Sequence, residues 1–203
     1  MDSRTAREQL KEILCTNSLQ LNTGKEYELR SGDKTPVYVD AKLTTCSPEA
    51  ISLVGRVFLD RIIERHWNPE AIGGLTLGAD PIAIAVARES FETHRPLQAF
   101  IVRKEPKKHG MQRFIEGIVD PSGRRVVIID DVCTRGESTA QAIQTARDAG
   151  MEVLGAICLV DRERGAADLL SERFGVSLEK IFTLAELLAA MPSNVDAADS
   201  VHA

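Results

Sequence analysis

Two adjacent carboxylates, Asp130 and Asp131, separate an apolar run from a turn of small and hydroxyl-bearing residues in Arg125-Val-Val-Ile-Ile-Asp-Asp-Val-Cys-Thr-Arg-Gly-Glu-Ser138. Val126 to Ile129 have the β-branched pattern of a strand covered on both faces, which places the two acids where that strand leaves the core. Thr134 to Ser138 then lead into a helix over Thr139 to Ala149, stopped by Gly150. Backbone N–H groups at such a helix N-terminus can hold a phosphate. Two acids beside a phosphate cradle repel each other and the ligand unless they meet donors or a cation. Ribose hydroxyls satisfy that condition, as does a divalent metal already coordinated by phosphate.

Other candidate groups fall at comparable positions. Thr76-Leu-Gly-Ala-Asp80 follows the strand candidate Ala71–Leu75, and its glycine suits an anion-binding turn or a purely structural one. Arg103-Lys-Glu-Pro-Lys-Lys-His-Gly110 gathers four cations and a histidine between two strands. In isolation that run reads as a solvated loop. Beside a phosphate cradle it reads as a lid that brings cations to a polyphosphorylated ligand. Arg162, which follows the strand Val153–Val160, either pairs with Asp161 or Glu163 or grips a planar, carboxylated substrate through two parallel hydrogen bonds. Its expected place beside the Asp130-Asp131 strand favours the second role. Cys133 has no neighbouring histidine in sequence and reads as a small, semi-buried residue rather than a nucleophile.

The elements that position these groups follow from periodicity. Helices are expected over Ser3–Leu14, Pro48–His66, from Pro81 to Arg88, and over Ala166–Phe174 and Leu184–Met191. Tyr27–Leu29 and Pro36–Val39 are expected to pair around the Ser31-Gly-Asp33 turn as a small hood. Gln98–Val102, Phe114–Val119 and Leu178–Phe182 complete the strands. Strand, turn and helix alternate, which predicts an α/β domain with a mostly parallel sheet flanked by helices. Ligands of such folds gather beyond the carboxyl ends of the strands, where the Thr76 turn, Arg103, the two acids and Arg162 all fall. The divisions are 1–45 for the N-terminal helix and hood, 46–191 for the core, and 192–203 as a frayed tail.

With 203 residues and 43% hydrophobic content, the chain suits one well-packed domain. A formal net charge of −5 argues against general nucleic-acid affinity. Cys15, Cys46, Cys133 and Cys158 are too widely spaced for a zinc or disulfide framework and read as reduced thiols. Without an apolar leader or a membrane-length stretch, a cytoplasmic location is expected. The Gly-rich signatures of P-loop hydrolases and of Rossmann dehydrogenases are both absent.

Ordered along the chain, these motifs resemble the orotate phosphoribosyltransferases of the type I phosphoribosyltransferase family. Val127 to Ser138 is similar to the signature that binds phosphoribosyl diphosphate. Arg103-Lys-Glu-x-Lys-x-His-Gly110, Leu29-Arg-Ser-Gly32 with Thr35-Pro36, and Asp161-Arg-Glu163 are the parts more particular to the orotate enzymes. The resemblance spans roughly Ser18 to Gly165. It implies that Asp130, Asp131, Val132, Cys133, Thr134, Arg135, Gly136, Glu137 and Ser138 bind phosphoribosyl diphosphate, the acids meeting ribose hydroxyls and the turn holding the 5′-phosphate.

The same resemblance implies that Arg103, Lys104, Lys107 and His109 face the diphosphate, with Lys107 and Asp131 as the catalytic residues. It further implies that Thr134 and Arg162 contact orotate, with Arg30 as an additional candidate at a place where some members carry lysine. Val39 stands where some relatives carry an aromatic. Mg²⁺ is implied as the cofactor, bound mainly through substrate oxygens, and a homodimer is implied in which Lys104 reaches the neighbouring site. The implied fold is the type I phosphoribosyltransferase fold with a small N-terminal hood. Two other readings stay open: a related transferase for another nucleobase, and a non-catalytic sensor of phosphoribosyl diphosphate.

Overall fold

A strand whose residues are apolar at every position must be covered on both sides, and the centre of the molecule meets that demand. In the computed structural model, which describes residues 3–21, 27–28, 34–93, 95–105 and 114–191, Val127 and Ile129 enter one hydrophobic core while Val126 and Ile128 enter another. The element order is α1 (Ser3–Asn17), β1 (Leu19–Leu21), β2 (Tyr27–Glu28), β3 (Lys34–Thr35), β4 (Val37–Val39), α2 (Lys42–Thr45) and α3 (Ile51–Glu64). There follow β5 (Ala71–Leu75), α4 (Ala79–Ser90), β6 (Gln98–Val102), β7 (Ile115–Glu116), β8 (Arg125–Cys133) and α5 (Glu137–Asp148). The chain continues through β9 (Glu152–Asp161), α6 (Ala166–Phe174), β10 (Leu178–Thr183) and α7 (Leu184–Ala190).

Six strands form the main sheet in the order β10-β9-β8-β5-β6-β7, parallel except for β7, which runs antiparallel to β6. Helices α1, α3, α4 and α7 pack on one face through Leu10, Leu14, Phe58, Ile82 and Leu187. Helices α5 and α6 cover the other through Ala142, Ile143 and Leu170. Close approach between layers depends on glycine: a Cβ on Gly155 of β9 would collide with the Trp67 ring. Among the described residues no helix is long and apolar enough to cross a membrane.

Three sequence expectations need correction. The β8 ladder does not stop before the acids but continues to Cys133, which pairs with Asp161, so Asp130 and Asp131 lie within the strand. The β9 strand extends far enough to keep the hydrogen-bonded partner available. In the hood, β2 pairs with β3, whereas β4 pairs with β1, Leu19 opposite Val39 and Leu21 opposite Val37. Pro36 separates β3 from β4 and cannot donate to a ladder, and Val37 and Val39 point inward with Leu19 while Tyr38 faces out. The strand expected from Phe114 to Val119 is confined to Ile115–Glu116, because Gly117 turns the chain at φ 91°.

Candidate functional site

The carboxyl ends of β5, β8 and β9 open into a cleft of about 510 Å³, closed on its far side by the hood. Its floor is the β8–α5 connection. The turn from Thr134 ends at Gly136, which adopts the left-handed region at φ 81° and caps α5. Any other residue there would be strained, and its Cβ would press on Ala166 at 3.1 Å. Because the cap is glycine, it carries no side chain to cover the first amides of α5. Val132, Cys133, Thr134, Arg135, Gly136, Glu137 and Ser138 all line the cleft.

The two acids divide into distinct environments. Asp130 is buried, and its Oδ2 accepts the Thr139 hydroxyl at 2.7 Å while its Oδ1 accepts the Asp131 N–H at 3.0 Å. Burial first, and then the charge of Asp131, push the Asp130 carboxyl up to about 7. Asp131 keeps 16% of its side chain exposed; its Oδ1 accepts the Val132 N–H at 2.9 Å, and its Oδ2 lies 3.8 Å from Lys42 Nζ. On the other side, Gly78 approaches so closely that a Cβ there would overlap the Asp131 carboxylate. A cis peptide joins Thr76 to Leu77 in this second turn.

Cys133 is buried, and its thiol contacts the Thr139 hydroxyl at 3.1 Å. The neighbouring Cys158 thiol and burial hold the Cys133 thiol well above its usual range, which keeps it protonated and inert. Arg162 is buried at the wall of the cleft; it donates to Thr35 Oγ1 at 3.2 Å and to the Val37 carbonyl at 3.1 Å. Of its two sequence-level roles, simple pairing with Asp161 or Glu163 is not what these bonds describe. They join the residue that follows core strand β9 to the hood.

Lys104 lines the cleft and also an adjoining hollow of about 520 Å³ that contains Thr76, Asp80 and Arg103. Arg103 itself is in that second hollow, 3.7 Å from Glu116 and donating to the Glu105 carbonyl at 3.2 Å. Lys107, His109 and Arg30 lie outside the described residues.

The cleft also contains groups not singled out from sequence. Tyr38, next to Val39, lines it and stands 5.4 Å from the Tyr27 ring, so the hood presents an aromatic one position before the place considered. Lys42 hydrogen-bonds Asp40 Oδ1 at 2.9 Å. Burial opposes its charge, but the Asp40 bond and the Asp131 carboxylate outweigh that, and its ammonium is held above the usual lysine range. The sequence signal for both was modest: an aromatic alternating with valines, and a cation two residues after a strand-end acid.

Among the described residues no group of three or more His, Cys, Asp or Glu side chains could hold a metal ion by itself. The oxygen donors of the cleft, carboxylates and hydroxyls, are of the hard type that a Mg²⁺ ion completes with phosphate and water oxygens.

Residues 48–183 match the phosphoribosyl transferase domain. An orotate phosphoribosyltransferase of Aquifex aeolicus is 43% identical over 182 residues, 90% of this chain and 97% of that protein. Among solved structures, the Mycobacterium tuberculosis orotate phosphoribosyltransferase in complex with Fe(III) dicitrate superposes with a TM-score of 0.76 at 37% identity, covering 90% of this chain and 98% of that one. The same enzyme in complex with 5-phospho-α-D-ribosyl 1-diphosphate gives 0.70 at 32% identity, over 90% of this chain and 92% of that one.

Proposed function

The chain belongs to the phosphoribosyl transferase family, of type I fold, and we propose that its reaction joins orotate N1 to phosphoribose from 5-phospho-α-D-ribose 1-diphosphate. The products are orotidine 5′-phosphate and diphosphate, which makes the enzyme a pentosyl transferase of pyrimidine and UMP biosynthesis. The observation that carries this reading is one cleft in which the acid pair, the uncapped start of α5 and the Arg162 guanidinium converge.

In this reading the amides at the start of α5 and the side chains of the turn hold the 5′-phosphate. The acids accept hydrogen bonds from the ribose hydroxyls, and Asp131, the more exposed of the two, lies near the anomeric carbon. As the bond from that carbon to the diphosphate breaks, positive charge grows on the ribose, and an ionised carboxylate nearby favours it. Lys104 at the cleft, with Arg103, Lys107 and His109 of the following segment, stabilises charge on the departing diphosphate. Lys107 is the principal catalytic side chain. Orotate binds with its carboxylate toward Arg162 and Thr134, with Arg30 as a further contact and the Tyr38 ring as an apolar surface for the base. Mg²⁺ bound through substrate oxygens supplies further neutralisation of the diphosphate.

A cytoplasmic homodimer completes the proposal. Leu77, Ile84 and Phe91 lie seven residues apart along α4 and its flanks and are 68%, 56% and 73% exposed. An antiparallel two-fold through Ile84 sets Leu77 against the second copy's Phe91, a self-complementary apolar surface of the kind a homodimer requires. Leu77 also lines the cleft, so such a face adjoins the active centre.

Purified protein with Mg²⁺ and phosphoribosyl diphosphate should convert orotate and leave uracil, hypoxanthine and xanthine unchanged. Turnover of one of those bases in place of orotate would overturn the substrate assignment. Tight binding of phosphoribosyl diphosphate without turnover of any base would make the protein a sensor.

A further inference from the structure

We propose that Lys42 is a positioning residue for phosphoribosyl diphosphate, an ammonium supplied by the hood that fixes the Asp131 carboxylate in the cleft. The inference rests on the assignment of this cleft to phosphoribosyl diphosphate and adds a residue outside the motifs that mark it. Lys42 opens α2 directly after the hood strand β4, and its Nζ is 2.9 Å from Asp40 Oδ1 and 3.8 Å from Asp131 Oδ2. The hood side of this bridge is anchored: the Asp40 N–H donates to the Ser18 carbonyl at 2.9 Å, and the Lys42 N–H donates to Asp40 Oδ1 at 3.2 Å.

The Asp131 side chain is thereby bracketed on three sides. The Val132 N–H occupies Oδ1, Gly78 abuts the carboxylate, and Lys42 faces Oδ2. Asp130, the other acid, is locked by Thr139 and by burial, so repulsion between the two falls on Asp131 as the partner able to turn away. Lys42 opposes that rotation. It also offsets negative charge in a cleft that must admit a ligand bearing phosphate at both ends of its sugar.

Local helix stability does not account for the lysine. Helix α2 is a single turn of four residues, too short for its dipole to select a cation at Lys42. Nearly half of the side chain, 45%, remains exposed, so apolar packing is not its main use either.

The test compares wild type, Lys42→Met and Lys42→Arg by calorimetric titration with phosphoribosyl diphosphate in the presence of Mg²⁺, by steady-state kinetics, and by thermal unfolding. Lys42→Met should weaken phosphoribosyl diphosphate about tenfold in both Kd and KM and lower kcat as Asp131 loosens, with the orotate KM and the unfolding midpoint close to wild type. Lys42→Arg, which restores the charge, should recover most of that loss. Wild-type affinity in Lys42→Met would refute the assignment, as would equal weakening of both substrates accompanied by a lowered unfolding midpoint. Failure of the wild-type protein to bind phosphoribosyl diphosphate at all would remove the site assignment itself and Lys42 with it.

Discussion

The Thr139 hydroxyl donates to Asp130 Oδ2 at 2.7 Å, so that helix α5 reaches back onto the strand it follows and closes off a carboxyl already buried in the sheet. Asp130 is raised from 3.8 to about 7, by burial and then by Asp131. The folded state therefore holds this proton more tightly than the unfolded chain does. Its contribution to stability is present below pH 3.8 and is lost as pH rises to about 7. Asp130→Asn keeps the shape and the acceptor for Thr139 without ever becoming charged. In the absence of substrates it should be more stable than wild type at pH 8, by on the order of a few kcal/mol, and equal to it in stability at pH 3. Transferase turnover should fall at least about a hundredfold. Parallel stability profiles for the two proteins across this range would contradict the account.

Thr35 gives the Arg162 guanidinium one of its hood acceptors, at 3.2 Å. Thr35→Val removes that acceptor at nearly constant volume. The orotate KM should rise roughly three- to tenfold, as expected for a hydrogen bond to a charged group, while the KM for phosphoribosyl diphosphate stays near wild type. Thr35→Ser should restore it. An unchanged orotate KM would show that the hood does not aim this arginine.

How much of this could be read from the chain depends on the range over which each feature is decided. The apolar run at Val126–Ile129, the glycine after Arg135 and the acid pair are local; the run enters the two cores, and the acids and the glycine fall in the cleft that the alternating elements predict. The hood pairings are not local. Nothing in the residues near Val37 announces that Leu19–Leu21 lies beside them, since short strands leave register to tertiary packing. Arg162 and Thr35 are 127 residues apart in sequence. Lys42 and Tyr38 escaped notice for the same reason: their importance comes from the hood folding over strands that follow it in the chain.

Gly78 should tolerate no side chain. In Gly78→Ala the new Cβ meets the Asp131 carboxylate, and either the turn or the acid must move. Affinity for phosphoribosyl diphosphate, followed by calorimetry, should drop by about tenfold or more with the circular dichroism spectrum retained. Wild-type affinity in this variant would mean that the contact yields without consequence.

Lys107→Ala should lower kcat by about two orders of magnitude or more and leave the Kd for phosphoribosyl diphosphate within a few-fold, if the ammonium acts chiefly on the departing diphosphate in the transition state. A rise in Kd equal to the loss in kcat/KM would instead make it a ground-state binding group.

Ile84→Asp puts two carboxylates opposite one another on the proposed two-fold. Sedimentation should show monomers at concentrations where wild type is dimeric, with most activity lost. Mixed dimers of Lys104→Ala and Asp131→Ala subunits would regain some activity if Lys104 serves the neighbouring cleft. Lys104 also lines its own subunit's cleft, and confirmed mixed dimers without activity would favour that cis role.

Trp67 packs on the bare backbone of Gly155 at the end of the sheet opposite the acids, six residues before Asp161 on β9, and it is the chain's only tryptophan. Its emission is consequently a built-in optical gauge of sheet integrity, separated from the ligands. A variant that stops binding yet keeps the native emission spectrum has lost its chemistry; one whose spectrum shifts to the red has lost its architecture.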